Sequence, residues 1–434
     1  METRTKNVSL EDLQNIVGAE HAREATAEDA VDGVEPSFVA EPGSVEETSE
    51  LLKFANDEGL AVAPRGGGTK TALGNPPREL DLILSTARMN EVIEYVPGDQ
   101  VVRVQAGMRL QDLQDRLAGS NQMLGIDPPE AGATIGGVVA ANSTGPRRYR
   151  YGTIRDLIIG ITIVLADGTV AKAGGKVVKN VAGYDLSKLF TGSLGTLGVI
   201  AECNFRLHPR PEAARTVTLE PESTLAAGQA AQAVMHAQLV PSAVELHWDK
   251  NTRLLTVLIE GIEPSVEAQA ETASYLLRGF GEIRQLTDEE ADSLGPLAPP
   301  GAGDEVAIKI SAPPAELTGV LDSTLGACSR RGIAPRITGH AGGGVTYVAL
   351  PGGDGEVVAA TSSSEEARAQ VVEELREIWT RRGGSVVVRE APPAFKKRVE
   401  VWGPLGSRLE LTRRVKAKFD PRGTLNPGRF AGGI

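Results

Sequence analysis

Hydrophobic and polar positions in the first half of the chain predict short strands and helices in quick succession. Between Ser44, a candidate N-cap, and Gly59, a candidate C-cap, apolar residues recur at the three- and four-residue spacing of a helix. Hairpin turns are expected at 97–99 and at Asp167-Gly168, each between two extended runs. The other predicted elements are strands near 60–63, 80–84, 92–96, 101–105, 158–165 and 198–207, and helices over 109–117 and 185–190.

The pattern changes after the run from His208 to Pro211, where glycine clusters become rarer. Longer helices then alternate with strands, which predicts an α+β domain with long crossovers. Its predicted elements are strands at 254–259, 305–310, 344–350 and 385–389, helices near 264–279, 314–330 and 364–380, and a loop over 294–303. The whole pattern divides the chain into an N-terminal extension at 1–35 (a short helix and a linker), a first domain at 36–210, a second at 211–392 and a turn-rich segment at 393–434.

Composition narrows the class of protein. A length of 434 residues implies more than one domain, and a net charge of −12 argues against nucleic acid as a partner. Two cysteines favour a reducing cytoplasm over a disulfide framework and are too few for an ordinary iron–sulfur cluster. The most apolar short stretch, at 158–166, is far shorter than a membrane helix, so we expect membrane attachment, if any, through partners.

Three motifs rich in glycine carry the candidate chemistry. The first, Pro64 to Lys70, places three glycines in a row. We expect the loop to need positive φ, which only glycine tolerates, so that its backbone N–H groups converge on a diphosphate; the alternative is a flexible surface loop. The second, Pro128 to Gly145, is built of small residues against which a flat ring could lie, with Asn142 at its polar edge; the alternative is close helix–sheet packing. The third, Lys179 to Gly198, does not match the Rossmann fingerprint.

Charged residues near these motifs allow several interpretations. Lys176 and Lys179 could place positive charge beside a reduced, anionic cofactor, or could be solvated lysines. Arg147, Arg148 and Arg150 suit a small carboxylate, a solvated loop or a contact to a partner chain. The histidines show no metal-ligand spacing.

The three motifs in this order resemble the FAD-binding domain of vanillyl-alcohol-oxidase-type flavoproteins, over residues 36–210 and the C-terminal tail. The resemblance implies an α+β fold in which a two-subdomain FAD-binding domain is followed by an α+β cap domain, and 393–434 returns to the FAD site. It also implies a set of cofactor-binding residues, namely Pro64, Arg65, Gly66, Gly67, Gly68, Thr69, Lys70, Pro129, Gly132, Ala133, Thr134, Gly136, Gly137, Asn142, Ser143, Gly145, Tyr151, Gly152, Gly195, Gly198, Val199, Ile200 and Asn426.

Departures from the family pattern refine this expectation. Thr69 stands where covalent members carry a histidine, so we expect non-covalent FAD. Leu194 replaces the glutamate of the usual G-S-E-G-T-L-G. With this leucine, the third motif resembles that of the FAD-binding subunit of bacterial glycolate oxidases. Catalytic relatives carry H-A-G-D-G-N-x-H, a metal and carboxylate site. One histidine, His340, survives here, and Gly343, Val345 and Tyr347 stand at the positions of the Asp, the Asn and the second His.

The resemblance therefore implies an oxidoreductase subunit that passes electrons from a small 2-hydroxy acid such as glycolate through FAD. Its expected partners are a sister FAD-bearing oxidase subunit and an iron–sulfur subunit. No resident metal is expected, and the catalytic candidates are Arg147, Arg150 and His340. Two alternatives remain: a stand-alone flavoenzyme on another substrate, such as a UDP-N-acetylmuramate-forming reductase, and a non-catalytic subunit whose FAD is structural.

Overall fold

The computed structural model describes residues 8–175, 184–287, 289–291, 305–352 and 364–434. The helices are α1 (Leu10–Val17), α2 (Val45–Glu58), α3 (Leu110–Ala118), α4 (Ile135–Ala141), α5 (Arg148–Tyr151), α6 (Ile154–Leu157), α7 (Leu186–Phe190), α8 (Thr224–His236), α9 (Glu263–Leu277), α10 (Leu317–Ser329), α11 (Ser364–Arg381), α12 (Pro393–Arg398) and α13 (Arg408–Phe419). The strands of the first half are β1 (Ala22–Glu24), β2 (Phe38–Ala40), β3 (Val62–Arg65), β4 (Leu82–Ser85), β5 (Val92–Val96), β6 (Val101–Gln105), β7 (Gln122–Met123), β8 (Ile158–Val164), β9 (Val170–Gly174), β10 (Val199–Arg206) and β11 (His208–Pro209). Those of the second half are β12 (Ala213–Pro221), β13 (Ala243–Trp248), β14 (Arg253–Gly261), β15 (Gly281–Leu286), β16 (Val306–Ser311), β17 (Arg336–His340), β18 (Val345–Leu350) and β19 (Ser385–Glu390).

The chain forms two compact units whose limits differ from the predicted domains. The first unit holds 1–144, 153–210 and 404–434, and the second holds 145–152 and 211–403. The C-terminal segment therefore joins the first unit at 404 and not at 393. This shift follows from α12, whose Phe395 is buried in the second unit's core.

The first unit contains a four-stranded sheet of order β1-β2-β4-β3 and a five-stranded sheet of order β5-β6-β10-β8-β9. Both predicted hairpins are confirmed: β5 pairs antiparallel with β6 and β8 with β9. In α2, the Ser44 hydroxyl accepts a hydrogen bond from the Glu47 N–H and Gly59 ends the helix in the left-handed conformation, as the sequence predicted. The apolar face of α2 is buried against the four-stranded sheet.

The N-terminal extension is more ordered than a helix and a linker. The predicted helix is α1, but residues 22–24 form strand β1, which pairs antiparallel with β2. The interpretation of residues 22–24 as part of a linker was wrong. Three residues are too few to show a hydrophobic period, so this strand is recognised only by its pairing with β2.

The second unit is an antiparallel sheet of eight strands in the order β15-β12-β14-β13-β17-β18-β16-β19. Alternate apolar residues of these strands pack against α8, α9, α10 and α11. The α+β class and the predicted strands near 254–259, 305–310, 344–350 and 385–389 are confirmed. The sequence analysis missed β12, β13, β15, β17 and helix α8, while the predicted loop at 294–303 lies outside the described residues.

A buried ammonium group fastens the C-terminal tail to the first unit. Lys416 Nζ, on α13, donates to the carbonyl oxygens of Thr196 and Leu425 at 2.8 and 2.7 Å, and to Asp420 Oδ2 at 2.6 Å. Burial lowers the pKa of Lys416, and the attraction of Asp420 opposes that shift. The tail next to this network pairs in parallel with β3, through Val62 and Leu425.

We expect Lys416→Met to destabilise the first unit by about 3 kcal/mol, because it leaves Asp420 charged and buried without its cation. Urea unfolding followed by far-UV circular dichroism should show an earlier transition. Lys418→Met, an exposed position on the same helix, is the matched control and should change little. Equal unfolding profiles for the two variants would contradict this account of the tail.

Candidate functional site

The first glycine motif crosses the second motif at backbone distance. A Cβ on Gly67 would lie 2.0 Å from the carbonyl oxygen of Gly132, and one on Gly66 would lie 2.1 Å from Thr134 Oγ1. The Gly67 N–H donates to Thr134 Oγ1 at 3.3 Å. Of the three glycines only Gly68 has a left-handed φ, +72°. The expectation that the whole loop needs positive φ was therefore wrong, and close approach of two backbones is what requires glycine at the first two positions.

The second motif is a loop followed by a short helix. Thr134 caps α4, and a Cβ on Gly136 would lie 2.8 Å from the Cβ of Ala106, next to β6. Close helix–sheet packing, the alternative for this motif, thus applies at Gly136. Asn142 ends α4 with φ +47°.

The third motif and the tail hold each other. Leu194, at the position of the family's glutamate, has φ +53°, a costly conformation for this side chain. Its N–H donates to the Ala140 carbonyl oxygen at 2.9 Å, and its own carbonyl oxygen accepts from Asn426 Nδ2 at 2.8 Å. These two bonds tie the third motif to α4 and to the tail.

All three motifs and the tail line one cleft in the first unit. Most of the predicted cofactor residues lie on its wall: Pro64, Arg65, Gly66, Gly67, Gly68, Thr69, Lys70, Ala133, Thr134, Gly136, Gly137, Ser143, Gly195, Gly198, Val199, Ile200 and Asn426. The wall does not include the predicted Pro129, Gly132, Asn142, Gly145, Tyr151 and Gly152, the last three of which belong to the second unit. Lys176 and Lys179 lie outside the described residues.

Sequence reasoning missed several residues of the wall. Val31 comes from the N-terminal extension and Arg429 from the tail, while Ile83 and Thr86 lie in and after β4. The sequence pattern around Ile83 predicted a strand and gave no sign of contact with a cofactor. The glycine pattern of the motifs therefore located the cleft but could not list the ordinary side chains that complete it.

Each cation on the cleft wall has a carboxylate partner. Arg65 Nη2 lies 2.8 Å from Asp29 Oδ1, Arg429 Nη1 lies 3.5 Å from Asp32 Oδ2, and Lys70 pairs with Glu130. Glu130 also accepts a hydrogen bond from the Ser143 hydroxyl at 2.9 Å. These pairs fix the cations in place and reduce the net positive charge that the wall presents.

In the second unit, Arg147 and Arg150 bind the unit's own groups. Arg147 Nη2 donates to Glu260 Oε1 at 2.7 Å and its Nε lies 3.2 Å from the same oxygen. Arg150 donates to the Glu260 carbonyl oxygen and, at 3.3 Å, to the Ser242 hydroxyl. Both arginines thus attach residues 145–152 to the sheet, so the solvated-loop interpretation does not describe them.

His340 is buried beside a carboxylate. Its Nδ1 lies 2.9 Å from Glu245 Oε2, and each residue is at most 5% exposed. His340 Nε2 makes no hydrogen bond with the described residues, and the Tyr347 ring lies edge-on at 5.8 Å. Within the described ranges, no group of three or more His, Cys, Asp or Glu side chains could hold a metal ion.

Two family models match the chain: the FAD binding domain over 36–174, and the C-terminal domain of FAD linked oxidases over 210–298 and 401–430. The chain belongs to the FAD-linked oxidases. This FAD-linked oxidase is 28% identical to glycolate oxidase subunit GlcD of Bacillus subtilis, over 91% of its own length and 89% of that protein. It is 29% identical to D-lactate dehydrogenase of Archaeoglobus fulgidus, over 90% of each chain.

Solved structures bear out the fold of this FAD-linked oxidase. p-Cresol methylhydroxylase superposes with a TM-score of 0.74 at 16% identity, covering 97% of this chain and 95% of that one. The 4-ethylphenol oxidase from Gulosibacter chungangensis gives 0.73 at 17% identity, over 97% and 96%. The expected vanillyl-alcohol-oxidase-type architecture is therefore confirmed. In the part of the chain that the structure describes, no helix has the length and hydropathy to cross a membrane.

The cleft fits the FAD that this family binds. The backbone of three successive glycines, Gly66 to Gly68, lies on the cleft wall, where backbone N–H groups of such a loop can meet a diphosphate. Side chains at Gly66 or Gly67 would fill the space between the two crossing backbones. The glycine loop and the cations Arg65, Lys70 and Arg429 on the same wall fit the diphosphate of FAD.

We expect Gly67→Ala to weaken FAD binding by about tenfold or more, because the new Cβ must push the glycine loop away from Gly132. The measurement is the flavin-to-protein ratio of the purified chain, followed by titration of the apoprotein with FAD.

Gly98→Ala is the control for that substitution. Gly98 lies in the turn between β5 and β6, and a Cβ there meets no atom within 4 Å. The control should keep the parent affinity. A Gly67→Ala protein with an undiminished ratio would show that the crossing does not shape the cleft.

Proposed function

We propose that this FAD-linked oxidase is the FAD-bearing subunit of a complex that oxidises a small 2-hydroxy acid, with glycolate as the first candidate. FAD supplies the chemistry: it accepts a hydride equivalent and passes the electrons on singly. The observation that carries the proposal is the single cleft formed by the three glycine motifs and the tail. The relatives add the substrate class, because glycolate and D-lactate, named in two of them, are both 2-hydroxy acids.

The need for partner subunits rests on the side chains of this chain. Cys203 and Cys328 are both buried, and burial raises the pKa of both thiols, that of Cys328 to about 12. Two inert thiols cannot ligate an iron–sulfur cluster, which supports a separate chain as the carrier of single electrons. We therefore propose the sister FAD subunit and an iron–sulfur subunit as partners.

The residues of the second unit support oxidation of the substrate on the sister subunit and electron transfer through this one. A 2-hydroxy acid that loses a hydride needs its carboxylate anchored and its hydroxyl proton accepted. Arg147 already pairs with Glu260, and the positions that could complete a metal site around His340 are Gly343, Val345 and Tyr347. The His340–Glu245 pair offers a proton acceptor, and the described residues around it do not form a set of metal ligands.

The FAD should be bound without a covalent bond. Neither histidine nor cysteine occurs among the residues of the cleft wall, and Thr69 stands where covalent relatives carry histidine. Acid precipitation of the purified chain is expected to release the yellow chromophore into the supernatant. Colour that stays with the precipitated protein would contradict this expectation.

The isolated chain should oxidise glycolate slowly or not at all. We expect little bleaching of the flavin band near about 450 nm when the FAD-loaded chain is mixed anaerobically with excess glycolate. Addition of the two proposed partner subunits should restore bleaching. D-Lactate in place of glycolate tests the breadth of the substrate class.

Fast bleaching by the isolated chain would overturn the division of labour. The variant His340→Gln then identifies the group responsible, because it removes the proton acceptor but keeps a side chain of similar size. Flavin that neither a substrate nor the partner subunits can reduce would favour the alternative, a subunit whose FAD is structural.

A further inference from the structure

The N-terminal segment 22–34 has contacts that its sequence did not predict. It begins with β1, which joins the four-stranded sheet through β2, and continues into a short 3-10 turn at Ala27–Asp29. Val31 then lies on the wall of the FAD cleft and pairs with Val34 through two backbone hydrogen bonds. The segment is thus a part of the first unit that reaches the cofactor site.

Asp29 is buried and bound by several donors. It is 3% exposed, and its carboxylate accepts hydrogen bonds from Arg23 at 2.7 and 3.0 Å, from Arg65 at 2.8 Å and from the Thr26 N–H at 2.9 Å. The bond from Arg23 is the main cause that holds the pKa of Asp29 well below its usual range. Asp29 is therefore a carboxylate at neutral pH.

The contact with Arg65 brings this charge to the cofactor site. Arg65 ends β3 immediately before the glycine loop and lies on the cleft wall, and its carbonyl oxygen accepts from the Thr86 N–H at 2.9 Å. The backbone of Arg65 is thus held by Thr86, and its side chain is held by Asp29. The second arginine, Arg23, lies outside the cleft wall and pairs with the other oxygen of Asp29, so that this carboxylate joins two guanidinium groups.

A second acidic residue makes a parallel contact with the tail. Asp32 Oδ2 lies 3.5 Å from Arg429 Nη1, and Arg429 Nη2 donates to the carbonyl oxygens of Thr71 and Leu73. Arg429 also lies on the cleft wall. Asp32 therefore steadies the guanidinium that joins the tail to the segment following the glycine loop.

We propose that residues 22–34 are a positioning element of the FAD site, in which Asp29 acts through Arg65 and Asp32 acts through Arg429. Neither carboxylate touches the cofactor in this assignment. Each fixes the rotamer of an arginine on the cleft wall before FAD binds, so that binding does not have to order the side chain. The two carboxylates thereby raise the affinity for FAD without contacting it themselves.

The first test is Asp29→Asn in the full chain, with the dissociation constant of FAD measured by flavin fluorescence on the apoprotein. We expect binding to weaken about tenfold. Glu28→Gln is the matched control, because Glu28 is exposed on the same turn, and it should bind FAD as the parent does. An Asp29→Asn protein with the parent's affinity overturns the proposal.

A double-mutant cycle distinguishes positioning from a merely structural role. If Asp29 acts through Arg65, Asp29→Asn should weaken binding less than about twofold once Arg65→Met is already present. If the two effects multiply in full, Asp29 acts independently of Arg65 and the proposal fails.

Asp32→Asn provides the same measurement at the second contact and keeps the left-handed conformation of that residue, φ +50°, which asparagine tolerates. It is the variant of choice should Asp29→Asn not fold.

Discussion

The cofactor cleft depends on one crossing of two backbones, in which the loop at 66–68 lies directly on residues 132–134. A single methyl group at Gly67 would come within 2.0 Å of the Gly132 carbonyl oxygen, so the contact exists only without side chains. Thr134 stabilises the crossing from the other side, because its hydroxyl accepts from the Gly67 N–H and also caps α4. Residues of both crossing segments, 64–70 and 133–137, lie on the cleft wall, so the crossing sets the position of this part of the wall.

The C-terminal tail closes the same cleft through polar contacts. Lys416 and Asp420 form a buried pair that ties the tail to the third motif, and Asn426 holds the strained Leu194 through its carbonyl oxygen. Buried charges of this kind cost solvation free energy, which their hydrogen bonds offset. A tail distant in sequence thus becomes as much a part of the site as the glycine motifs.

The polar residues of the second unit are engaged with the unit's own groups. Its arginines at 147 and 150 attach a short segment to the sheet, and His340 is paired with Glu245. The sheet's core side chains are apolar and do not depend on those polar positions.

The sequence by itself determined the elements with a strong local signal and the chemistry of the cleft. The caps of α2, both hairpins and the three glycine motifs were readable because turns, caps and runs of glycine are set by neighbouring residues. The family pattern in those motifs also implied FAD, and most of the predicted ligands lie on the cleft wall.

The tertiary structure alone decided which distant residues meet. Strand β1 is three residues long and exists through its pairing with β2, while Asp29 and Asp32 meet their arginines across about 36 to 400 positions of sequence. It also decided why Gly66 and Gly67 are glycines: the cause is a carbonyl and a hydroxyl from another segment, and not the φ of the loop. Such contacts leave no local pattern, because the residues that make them are ordinary in their own neighbourhoods.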